Sequence, residues 1–205
     1  MTAQISDIVA YRSQNYCVAG VNGYGMFDPV EHGLNPCALH TACRRGYHCT
    51  YTVDADSLYL TQFNIGFDND DTASIALGIG PKIFGKLPQR YIEELYRKRI
   101  WPLKPVPIRS ESSDFVISDL KELIPFTGGL LIGCDFIREL YVHMGFHPAY
   151  KFRNVYELIF DAGRVVESHN RSIDMEKRRA ELAASQPEEI TTEEWIKRCF
   201  SLKYE

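Results

Sequence analysis

No run of apolar residues in this chain approaches the roughly 20 that a membrane-spanning helix needs. The opening, MTAQISDIVAYRSQNYCVAG, also lacks the basic start and apolar stretch of a secretory signal. A cytoplasmic protein without a membrane span is the expectation. A Walker loop, a Rossmann glycine pattern, an HExxH and a GxSxG are missing too, which removes the commonest motif-defined enzyme classes and gives no reason to expect a cofactor. The six cysteines, Cys17, Cys37, Cys43, Cys49, Cys134 and Cys199, have no regular spacing. They make no disulfide framework, and in a reducing compartment most are read as small core residues. The acidic stretch FDNDD lacks the downstream Gly and Glu of a calcium loop and reads as a solvated turn.

What is present describes a globular chain. Its 205 residues suffice for one domain with a sizeable core, and an apolar share of 45% and aromatic share of 12% favour strands around a filled interior. The net charge of -4 hides an asymmetry, because Lys82 to Arg109 holds eight Lys or Arg against two acidic residues. An acidic body with one basic segment lacks the broad basic field of a nucleic-acid binder, so none is expected as a partner.

Alternation in HCTYTVDADSLYLTQF predicts a hairpin turning at Asp54 to Ser57, and FRNVYELIFDAGRVVESHN predicts another through Asp161 to Gly163. DIVAYRSQNYCVAG reads as two short strands around Ser13 to Asn15. The stretch LPQRYIEELYRKRI, Leu87 to Ile100, carries Tyr91, Ile92, Leu95 and Tyr96 at helical spacing, with Pro88 in the first turn, and predicts a basic surface helix. GGLLIG is a buried strand, and 135–144 fits a short helix ending at Gly145 or a strand. Two charged or capped helices close the chain, the second opened by Thr191 and Glu194. The fold expected is α+β: two hairpin-rich halves sharing one core over 1–170, and a C-terminal helical extension over 171–205.

The run PCALHTACRRGYHCTY concentrates the candidate chemistry. As a zinc site it offers Cys37, His40, Cys43 and His48 or Cys49, but structural zinc uses tight pairs across a spacer, and His48 and Cys49 face opposite sides of a strand. No metal is expected there. As a catalytic site it offers Cys43, whose thiol the charges of Arg44 and Arg45 favour as thiolate, with His143 or His147 as base. As plain structure, the cysteines fill core spaces, Gly46 permits a bend, and one arginine holds a carboxylate.

The segments HTACRRGYHCTY and GGLLIGCDFIRELYVHMGFHPAYKF resemble a family of small uncharacterised bacterial proteins, over roughly residues 5 to 170. Arg45 stands where that family has an aromatic residue. The resemblance brings no activity with it and implies a cognate-binding or immunity role near toxin genes. Non-catalytic binding of a protein partner, such as a toxin to be neutralised, is the function expected, with Arg44, Arg45, Tyr47, Tyr24, Phe27 and Trp101 as binding residues. The alternative is a small hydrolase or transferase built on Cys43, His143 and His147, with a pocket between the two halves of the chain.

Overall fold

The computed structural model describes residues 2–38, 40–97, 106–184 and 191–204, those of 91–97 and 106–113 by their backbone. Its strands are β1 (Ile8–Tyr11), β2 (Gln14–Tyr24), β3 (Tyr47–Asp54), β4 (Ser57–Ile65), β5 (Gln89–Arg97), β6 (Val106–Ile117), β7 (Glu122–Leu123), β8 (Thr127–Phe136), β9 (Phe152–Asp161) and β10 (Arg164–Asn170). Its helices are α1 (Asn69–Ala76), α2 (Ser172–Ala184) and α3 (Thr192–Cys199).

The hairpins at both predicted turns form, as does the opening one. Each closes through two residues with positive φ: Arg12 and Ser13, Ala55 and Asp56, Ala162 and Gly163. Turns of that handedness match the right-handed twist of the flanking strands. The α+β architecture in two halves is overturned. The order β1, β3, β4, β10, β9, β8, β2 returns to β1 and makes a closed barrel of seven strands, with β5, β6 and β7 outside it. Antiparallel neighbours alternate in direction, so a ring with an odd number of strands cannot close on antiparallel pairs alone. The β1–β3 pair is parallel and resolves the parity.

The seam is short. Between β4 and β10 it consists of the Ser57–Arg164 pairing, held by Leu58 N–H to the Gly163 carbonyl (2.9 Å) and Val165 N–H to the Asp56 carbonyl (2.8 Å). The rest of the β4 edge is taken by one antiparallel stretch of chain. It pairs through β6 at Phe63–Ile65, through Leu120 N–H to the Thr61 carbonyl, and through β7 at Tyr59 and Leu60. Few backbone groups of β4 are left to template another chain.

Interior positions carry Val9, Tyr11, Tyr16, Val18, Cys49, Tyr51, Leu58, Leu60, Phe63, Leu130, Ile132, Leu158 and Phe160, all buried in one cluster. Seven strands enclose a space that side chains of this size fill, so the barrel is a packed core and not a vessel. The unbroken apolar run of β8 reflects burial on both faces: Leu130 and Ile132 point inward, while Leu131 joins Ala19, Ala149, Phe152 and Val155 beneath α2. Tyr204 lies against the outside of β2 and β8, where Gly20 and Gly129 leave room for its ring, and its hydroxyl donates to Glu157 (3.2 Å).

Two further expectations are corrected. Residues 89–97 of the predicted basic helix are β5, an outer strand paired along its length with β6, and the rest of that stretch from Lys98 lies outside the described residues. Cross-strand pairing with β6, the next strand in the chain, has overridden a helical spacing. Asp68 to Asp71 is not a plain turn: the Asp68 carboxylate accepts the Asp71 N–H (2.9 Å) and opens α1. After β8, residues 138–140 form a single 3-10 turn.

Candidate functional site

Four stretches distant in sequence meet outside one end of the barrel: residues 2–7, the turn 40–47, the loop 137–151 and α3 with the tail after it. Gln4 N–H donates to the Gly145 carbonyl and Ile5 N–H to the Ala42 carbonyl, each at 2.8 Å, so the N-terminal segment runs between the two loops. The Gln4 side chain, itself buried, accepts the Arg44 N–H (2.9 Å) and donates to the Thr2 and Thr41 carbonyls. Phe146 N–H reaches the Cys199 carbonyl (2.8 Å) and Val21 N–H the Leu202 carbonyl (2.6 Å), which fixes the end of α3 and the tail.

Asp7 organises the turn. Its buried carboxylate pairs with the Arg45 guanidinium and accepts the Cys49 N–H (2.6 Å). Arg45 also donates through Nε to the Tyr47 carbonyl (2.6 Å) and lies over the Tyr47 ring at 4.6 Å. Burial pushes the Tyr47 hydroxyl up to about 12, against the opposing charge of Arg45. Gly46 adopts φ 78°, and a Cβ there would sit 2.8 Å from the Cys37 nitrogen. The bend expected at Gly46 is therefore required both by backbone conformation and by close approach.

The expected thiolate does not fit this setting. Cys43 is buried, its thiol donates to the Tyr47 carbonyl (3.2 Å), and burial raises its pKa by more than the Arg45 charge lowers it. His143 is exposed and hydrogen-bonded through Nδ1 to the Tyr141 hydroxyl (2.9 Å). His147 packs its ring on Phe136 (4.7 Å) and Tyr141 (5.4 Å). Burial and then the charge of Lys151 lower its pKa, and its Nδ1 is buried without a hydrogen-bond partner. Among the described residues no hydrogen bond joins Cys43 to either histidine. His40 reaches Asp114 (3.3 Å), and His48, lowered by burial, stands on β3 beside Cys49 but on the opposite face. No group of three or more His, Cys, Asp or Glu among the described residues is placed to hold a metal ion.

The binding candidates divide. Arg44 and Arg45 line a groove of about 470 Å³ whose floor is Phe146, Ile196, Phe200 and Leu202, with Gln4 and Lys197 completing it. The Arg44 guanidinium lies 4.8 Å from the Phe200 ring centre and has no carboxylate partner among the described residues. Tyr47 supports this site from behind by holding Arg45. Tyr24 is 73% exposed at the far end of β2, opposite Thr127. Phe27 is not a surface residue: it is buried against Phe63 (5.0 Å) and stacked on His32 (5.1 Å). Trp101 lies outside the described residues. Sequence reasoning passed over Asp7, Gln4, Phe146 and Phe200; the last two showed only as apolar members of a loop and a helix end.

No protein-family model, curated protein or solved structure matches this chain. Among the described residues no helix is long and apolar enough to cross a membrane.

Proposed function

We propose that the protein is a non-catalytic binding module that takes a partner segment carrying an apolar side chain flanked by acidic groups, in the groove between the 40–47 turn and α3. The observation that carries this reading is the pairing of an apolar floor, Phe146, Ile196, Phe200 and Leu202, with two cations at its sides, Arg44 and Lys197. Among the described residues Arg44 holds no carboxylate and Lys197 has only the exposed Glu193 (2.9 Å), a pair that water and salt screen. An apolar anchor in a pocket supplies affinity while flanking charges supply orientation and encounter rate. The chain as a whole is acidic, whereas the local charge of the groove favours an acidic partner. A filled barrel and a high-pKa, hydrogen-bonded thiol give catalysis through Cys43 no comparable support. The cognate-binding role implied by the resemblance is of the same class.

The test starts from a partner captured by the full chain and then purified. Arg44→Glu combined with Lys197→Glu should slow its association and weaken binding at low salt, and Phe200→Ala should speed its dissociation. A partner that binds all three proteins with one affinity refutes the assignment of the groove.

A further inference from the structure

A second concavity, of about 370 Å³, lies on the other side of α3 and shares Phe146 with the groove. Its walls include Val142, Met144, Phe146 and Trp195, with Lys151 and Cys199 among the lining residues. Lys151 is only 7% exposed, and its ammonium has no hydrogen bond or ion pair among the described residues. A lysine covered to that degree is ordinarily paired; here the aliphatic stem is enclosed and the unpaired ammonium keeps a small contact with water. None of the lining residues carries a carboxylate, and Arg198 of α3 adds a second cation. The other titratable neighbours are Cys199, Tyr150 and His147, with Arg178 and Arg179 of α2 beyond Tyr150. Arg198 is paired with Glu194 (3.0 Å) and Arg178 with Glu181 (3.4 Å), so of the two cations that line the pocket it is Lys151 that has no acid beside it among the described residues.

We infer that this pocket is a binding site for a small apolar monocarboxylate, its carboxylate pairing with Lys151 and its chain against Val142, Met144, Phe146 and Trp195. Size agrees: pockets that hold small organic ligands begin at roughly 300 Å³ and combine apolar walls with a few placed polar groups. Burial lowers the Lys151 pKa, and an anion beside the amine would favour its charged form. Binding therefore takes up protons, and affinity should fall as the pH rises through the depressed amine pKa. The site shares Phe146 and α3 with the groove but takes a different ligand through different polar groups, and neither reading requires the other.

Isothermal titration of the full chain with octanoate and with 1-octanol separates charge from chain. Octanoate should bind one per chain, and octanol, which keeps the apolar part, about ten- to a hundredfold more weakly, the loss expected for one charge-assisted contact. Lys151→Met should bring octanoate down to the level of octanol and leave octanol unchanged. The same substitution should leave the ligand-free melting temperature at or above that of the unaltered protein, since it replaces an unpaired, partly desolvated ammonium with an apolar chain of similar length. Equal binding of octanoate and octanol, binding of neither, or undiminished octanoate affinity in a folded Lys151→Met protein overturns the assignment.

Discussion

Asp7→Ala is the substitution that most directly tests how the 40–47 turn is held. The carboxylate, 7% exposed, serves two donors at once: the Arg45 guanidinium, 27% exposed, and the N–H of fully buried Cys49. Its removal orphans a buried N–H, worth about 1–3 kcal/mol, and unpairs a cation whose loss of partner costs about 3–5 kcal/mol in a fully buried pair. Arg45 keeps the Tyr47 carbonyl and ring, and over a quarter of it meets water, so the second contribution falls well below that range. A total near 3 kcal/mol follows, a large part of the 5–15 kcal/mol of a typical domain. Asp7→Asn keeps an oxygen for the Cys49 N–H and loses only the charge, so it should cost about half as much. Urea unfolding of both variants at constant slope measures the two values. A loss below about 1 kcal/mol for Asp7→Ala, or equal losses for the two, would show that neither contact matters as argued.

Gly145→Ala should detach α3, because φ is 65° and a Cβ would collide with the Cys199 carbonyl. Trp195 fluorescence should shift toward that of solvated indole, and an unchanged spectrum and melt would mean the contact yields freely. Gly46→Val should destabilise by about 1–3 kcal/mol or more, since strain and a backbone collision add; an unaltered urea midpoint argues against both. Cys43 should react with a thiol reagent only on unfolding, because burial raises its pKa and covers it, and rapid labelling of the native protein at Cys43 would contradict this. His48 and His147 have folded pKa values below the ordinary 6.5, so the fold favours neutral imidazoles. Their contribution is complete above 6.5 and is lost as the pH falls toward the depressed values; the urea midpoint should drop on acidification toward about pH 5, less so in His147→Phe. A flat profile refutes it.

Local chemistry was legible in the sequence where it was self-contained. Period-two alternation around Asp54 to Ser57 and Asp161 to Gly163 gave two hairpins, and Thr191 accepts the Glu194 N–H (3.2 Å) as its spacing required. Closure of the barrel left no such signal. It rests on Ser57 meeting Arg164 and on Ile8 to Ala10 running parallel to Thr50 to Thr52, contacts that no window of sequence contains. Tyr91, Ile92, Leu95 and Tyr96 fit a helix as well as a strand, and the partner strand β6 decides. For the site, the run from Cys37 to Tyr47 stood out in the sequence for its residue types, and Arg44 and Arg45 of that run line the groove. The role of its cysteine turned on burial, which residue type alone does not carry: a neighbouring arginine suggests a thiolate, and enclosure by β3 and the turn reverses it. Nothing in the sequence marks Lys151, because the pocket it lines joins a loop and a helix some 50 residues apart in the chain, each held to the barrel by its own contacts.

The convergence of residues 2–7, 40–47, 137–151 and the tail after α3 has a thermodynamic corollary. No single element owns the groove, so any opening that frees one of the four contributors also abolishes the site. An occupant then stabilises the assembled end of the barrel as a unit, by about 2.7 kcal/mol at a hundredfold excess over its dissociation constant. Hydrogen exchange at Gln4, Ile5, Val21 and Phe146, whose N–H groups tie these stretches together, would slow in concert on binding, and a lesion in any one stretch would be felt as lost affinity at the groove.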